Sequence, residues 1–70
     1  MITIKVNDAS MSIQIGSTIL SILQIQFPDK KEFNGIAVAV NEVVIPKKQW
    51  HTYQLQEHDN ILIIIAAQGG

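Results

Sequence analysis

Cysteine is absent from this 70-residue chain, so no disulfide supports the fold and no Cys/His spacing typical of a structural zinc site occurs. Stability must come from packing alone, which suits a reducing cytoplasm. Charge is scarce as well: five basic and six acidic residues give a formal net charge of −1. No cluster of Lys or Arg could neutralise a row of phosphates, so nucleic acid is not expected as a partner. The start of the chain lacks the basic segment and long apolar run of a signal peptide, so the protein is expected to remain in the cytoplasm. The longest apolar run, Ile61 to Ala67, is far too short to cross a bilayer, and no membrane association is expected. Internal repeats and low-complexity segments are also missing.

The catalytic motifs are missing too. The sequence holds no nucleophile–base signature, no Gly-rich phosphate loop, no HExxH and no paired Cys motif. His51 and His58 are the only histidines, and polar neighbours surround both. His58-Asp59 could form an acid–base pair, but with Gln56, Glu57 and Asn60 beside it the segment reads as a solvated turn. The chain is therefore not expected to catalyse by itself, nor to bind a metal or cofactor of its own.

What is present is a pattern of short strands around one helix. Ile2, Ile4 and Val6 alternate with Thr3 and Lys5, and after Asn7-Asp8-Ala9-Ser10 the alternation resumes as Met11, Ile13 and Ile15, which predicts an N-terminal hairpin. Gly16 ends it. Ser17 or Thr18 can cap a helix running from about Thr18 to Phe27, stopped by Pro28, with Leu20, Leu23 and Phe27 at helical spacing and Ile19 and Ile22 widening the stripe. The glutamate of a capping box is missing. Ile36 to Val40 reads as a strand, Asn41-Glu42 as a turn, Val43 to Ile45 as a strand ended by Pro46, Lys47 to His51 as an irregular turn, and Tyr53 to Leu55 as a short extension.

Ile61 to Ala66 is the strongest strand signal. Being apolar on both faces, it is expected in the middle of the sheet, paired in parallel with the first strand. The reading is an α+β domain over residues 1–66, a mixed sheet of four to five strands packed on one helix, and a flexible tail over 67–70. One helix covers only one face of a sheet. Either the Pro46 to Leu55 segment folds over the other, or that face is a docking surface; pattern alone leaves both open.

The tail, Ala67-Gln68-Gly69-Gly70, is the remaining place for chemistry. Glycines lack Cβ atoms, so two of them can thread a channel too narrow for larger residues. A terminal carboxylate is ionised at neutral pH and could attack the α-phosphate of ATP if a partner enzyme held both. The product, an acyl-adenylate, is open to a sulfur nucleophile.

A β-β-α-β-β-β order of this length ending in Gly-Gly resembles the β-grasp, or ubiquitin-like, sulfur carriers. Within them Ala39-Val40-Asn41-Glu42-Val43-Val44-Ile45-Pro46-Lys47-Lys48-Gln49-Trp50 is similar to the ThiS family pattern: a small-apolar strand, Asn, a short strand, aliphatic-Pro-basic, and Trp three residues after the basic position. The likeness runs from the first hairpin to the tail. One departure is His58-Asp59, where the family commonly has Gly-Asp. Asn41, Pro46 and Trp50 have structural explanations, as a turn residue, a strand terminator and an anchor for the irregular turn.

The resemblance implies a sulfur carrier of thiamin thiazole biosynthesis, monomeric when alone. Gly70 would be adenylated by an E1-like enzyme of the ThiF type using Mg-ATP, with Gly69, Gln68 and Ala67 lying in that partner's channel. Sulfur would arrive from a donor such as a cysteine desulfurase, and thiazole synthase of the ThiG type would consume the thiocarboxylate. Ile61, Ile63 and Ile65 would supply a docking face for the partners. Alternatives are the small subunit of molybdopterin synthase, which shares the tail but lacks the Asn41-to-Trp50 type of pattern, a ubiquitin-like modifier joined to target lysines, and an interaction domain with an inert tail.

Overall fold

A computed structural model describes residues 1–66. Strand β1 (Ile2–Val6) turns into β2 (Ala9–Ile13), helix α1 (Ile19–Gln26) follows, and β3 (Ile36–Val40), β4 (Val43–Val44) and β5 (Asn60–Ile65) complete a mixed sheet of order β2-β1-β5-β3-β4. This is the expected β-grasp arrangement.

Two tight turns set the register. Asn7 and Asp8 both adopt positive φ, 48° and 69°, as do Asn41 and Glu42 at 50° and 72°. Two consecutive left-handed residues make the two-residue hairpin turn whose twist matches that of the strands. The first hairpin thus needs only Asn7-Asp8, and Val6 faces Ala9 across it. Strand β2 consequently starts earlier than the alternation suggested and ends at Ile13. Ile15, expected in the strand, is exposed beyond it, where Gly16 turns at φ 92° and Ser17 N–H donates to the Gln14 carbonyl.

Helix α1 is short, and its first N–H groups are all accounted for. Ser21 takes the role of the missing glutamate: its Oγ accepts from Thr18 N–H at 3.0 Å while Thr18 Oγ1 accepts from Ser21 N–H at 3.2 Å, a capping box with a hydroxyl side chain at both ends. Ile19 N–H donates to the Tyr53 carbonyl and Leu20 N–H to the Trp50 carbonyl. Together these satisfy the donors that a helix start leaves free. Ile19, Ile22 and Leu23 are buried, each stabilising by about 1.5–3 kcal/mol.

Those bonds also decide where the Pro46 to Leu55 segment lies. After a 3₁₀ turn at Lys47–Gln49, Trp50 is buried with its Nε1–H on the Ile45 carbonyl at 2.9 Å, and Leu55 N–H donates to the Ser17 carbonyl. Ile45, Trp50 and Leu55 join the cluster formed by α1, Ile4, Val6, Val38, Val40, Ile61 and Ile63. The segment therefore closes the helix side of the core and leaves the opposite sheet face open.

Candidate functional site

Strand β5 lies at the centre of the sheet, antiparallel to β3 from Ile61 to Ile65 and parallel to β1 at Asn60 and Ile61. Its position in the sheet matches the expectation; its facing does not. Ile61 and Ile63, expected on a docking face, are buried at 2% and 8% exposure in the core cluster, and only Ile65 of that trio is open, at 58%. Side chains alternate across a strand, so the exposed face carries Leu62 and Ile64, each at 50%. A strand apolar on both faces has no internal mark of which parity points inward. The partner strand does: Leu62 pairs with Ala39 and Ile64 with Ala37. The small members of Ile36-Ala37-Val38-Ala39-Val40 thus mark the face away from the helix: Ala37 is exposed there, and Ala39, between its partners Leu62 and Val44, is 8% exposed.

The open face is divided. Leu62, Ile64, Ala37, Ala39 and the 69%-exposed Val44 form an apolar half over β5, β3 and β4. Thr3 and Lys5 of β1, with their β2 partners Ser12 and Ser10, form a polar half. Among the described residues, the apolar half leads along β5 to Ala66, whose N–H donates to the Gly35 carbonyl at 2.7 Å. The other site residues predicted from the sequence, Ala67, Gln68, Gly69 and Gly70, lie outside the described residues.

Two side chains not singled out for the site hold β5 in place. Asn7, at the end of β1, accepts Ile63 N–H on Oδ1 at 2.8 Å and donates Nδ2–H to the Ile63 carbonyl at 3.3 Å. At the strand's start, Asn41 Oδ1 accepts from Asn60 N–H at 2.9 Å, and Asn41 Nδ2–H donates to Asp59 Oδ1 at 2.9 Å. Asp59, 8% exposed, accepts Gln56 N–H on its other oxygen at 2.8 Å. The sequence signal for both asparagines was their place in a turn segment, Asn7-Asp8-Ala9-Ser10 and Asn41-Glu42, which points to turn backbone but not to the reach of the side chain across the sheet.

Among the described residues, neither histidine forms part of a reactive constellation. His51 and His58 are exposed, and the hydrogen bonds of the Asp59 carboxylate go to Asn41 and Gln56. His58 has φ 69°, which explains the attraction of glycine at that position. A shallow concavity of about 380 Å³ is lined by Thr3, Ile4, Lys5, Ser10, His58 and Asn60 without a hydrogen-bonded nucleophile–base pair. Among the described residues, no group of three or more His, Cys, Asp or Glu could hold a metal ion. No described helix is long and apolar enough to cross a membrane.

A model of the ThiS family matches residues 4–70. The chain is 31% identical over 64 residues to the sulfur carrier protein ThiS of Escherichia coli (strain K12), an alignment covering 91% of this chain and 92% of that protein. The crystal structure of a thiamine biosynthesis protein (ThiS) from Geobacter metallireducens superposes with a TM-score of 0.79 at 13% identity, over 99% of this chain and 100% of the other. At that identity the superposition speaks for the fold.

Proposed function

This chain belongs to the ThiS family, and from that premise we propose that it is a sulfur carrier of thiamin thiazole biosynthesis, a substrate of other enzymes and not itself a catalyst. Family membership carries the reading. Support comes from the place of β5, the central strand, which ends at Ile65, three residues short of Gly69-Gly70 in sequence.

In this reading a Gly70 carboxylate oxygen attacks the α-phosphorus of Mg-ATP on an E1-like enzyme. Pyrophosphate leaves, and an acyl-adenylate forms. A persulfide, its outer sulfur supplied in the end by a cysteine desulfurase, then attacks the carbonyl carbon and displaces AMP, and a thiol cleaves the acyl disulfide so formed, leaving as a disulfide with the inner sulfur. The resulting thiocarboxylate is the sulfur donor for thiazole synthase. The chain's part is to present the tail and to be recognised, and the apolar half of the open face, Leu62, Ile64 and Val44, suits the second task.

Complementation tests the pathway. A strain whose thiazole-pathway carrier is deleted should grow without added thiazole when given this chain. Failure there, with rescue of a strain lacking the molybdopterin-synthase small subunit, would assign the chain to the other branch.

A further inference from the structure

Along β5, successive residues direct their main-chain groups to opposite neighbours. The even positions face β3: Asn41 N–H donates to the Asn60 carbonyl at 2.8 Å, and Ala66 N–H to the Gly35 carbonyl. The odd positions face β1: Lys5 N–H donates to the Asp59 carbonyl at 3.0 Å and Asn7 N–H to the Ile61 carbonyl at 2.9 Å. At Ile63 the backbone of β1 has already turned away, and the Asn7 side chain stands in for it. Ile65 is the next odd residue. Its N–H and carbonyl point to the same side, past the end of β1, and no described residue takes them.

We infer that the main-chain edge of β5 at Ile65 is the first rung for an added β-strand, supplied by the adenylating partner. The complement of an open N–H and carbonyl in extended backbone is another extended backbone. The occupant follows from position: Ile65 ends β5 only five residues before Gly70, so a protein that holds Gly70 lies within about 17 Å of Ile65, the reach of five extended residues. Asn7 makes the rung available by ending the β1 pairing at Ile63 without leaving that residue's groups bare. The inference rests on the carrier reading above and adds how the tail is gripped: by main-chain bonds indifferent to side-chain identity.

The test is amide hydrogen exchange, read residue by residue, on the full chain alone and saturated with an E1-like adenylating enzyme without ATP. The Ile65 amide should exchange freely in the carrier alone and slow at least about tenfold in the complex. Leu62 and Ile64, whose amides face β3, report that the fold is unchanged. A saturated complex in which the Ile65 amide stays fast overturns the inference while leaving the carrier reading intact. Slowing that follows the concentration of the carrier alone also overturns it, by assigning the edge to a second copy. No binding of the wild-type chain overturns the carrier reading and the inference with it.

As a second measure, Ile65→Pro removes this N–H without touching the β3 ladder. It should weaken binding about two- to tenfold, the range for one hydrogen bond, while Ile65→Val binds like wild type. Equal affinity of Ile65→Pro and wild type would contradict the inference.

Discussion

Asn7 reaches from the end of β1 to Ile63 of β5 and pairs with both of its main-chain groups, N–H to Oδ1 at 2.8 Å and carbonyl to Nδ2–H at 3.3 Å. A side chain thus extends a parallel ladder that the backbone has left. Asn7 also holds φ 48°, so two effects can be separated by substitution. Asn7→Gly keeps the turn and loses the clamp; it should cost about 1–2 kcal/mol in urea unfolding. Asn7→Ala loses both and should cost about 1 kcal/mol more. Wild-type stability of Asn7→Ala would show that the clamp contributes nothing.

His58 sits at φ 69° in the turn before β5, with its N–H on the Thr3 carbonyl at 2.7 Å. A side chain in that region costs about 1–2 kcal/mol, and glycine returns about half of the gain as unfolded-chain entropy. His58→Gly should therefore stabilise by about 0.5–1 kcal/mol, read as a higher denaturation midpoint, and His58→Val should destabilise. A lower midpoint for the glycine variant would show that the imidazole contributes more than its backbone strain removes.

The two faces of β5 should respond oppositely to substitution. Ile63→Ala opens a cavity in the core and should cost about 2–5 kcal/mol. Replacing Leu62 and Ile64 together by Thr keeps strand propensity and should change stability by about 1 kcal/mol or less, while weakening binding to an adenylating enzyme roughly tenfold. Unchanged affinity in the double variant would place the docking surface elsewhere.

How much of this could be read in the sequence divides along physical lines. Local signals gave the elements: two asparagine-led turns, the alternation of β1 and β3, Thr18 and Pro28 bracketing the helix, and the two-sided apolar run that puts β5 at the centre. The facing of β5 was not legible, because Ile61 to Ile65 carries no polar residue to mark parity, and a one-residue slip exchanges the faces of a strand. Pairing with Ala37 and Ala39 supplies the mark. The course of the Pro46 to Leu55 segment was hidden for a related reason: it is fixed by main-chain bonds from Ile19 and Leu20 to carbonyls 34 and 30 residues away, which leave no trace in side-chain pattern. The capping role of Ser21 lies outside the glutamate pattern of a capping box, although a hydroxyl can meet the same N–H. Asn7 and Asn41 were legible as turn residues, not as anchors of β5.

At position 70 the proposed carrier function predicts that Gly70→Ala leaves the denaturation midpoint unchanged and sharply lowers adenylation, since an added methyl would meet the wall of a partner channel fitted to glycine. The check is pyrophosphate release with an E1-like enzyme and ATP. Comparable rates for mutant and wild type would show that the channel does not discriminate.

The most direct measurement is the intact mass of the chain after incubation with an E1-like adenylating enzyme, Mg-ATP and a sulfur source. Conversion of the Gly70 carboxylate to a thiocarboxylate predicts replacement of one oxygen by sulfur, dependent on ATP and lost on deletion of Gly70. An unchanged mass with a competent enzyme, or covalent adducts with other proteins in its place, would contradict a sulfur carrier.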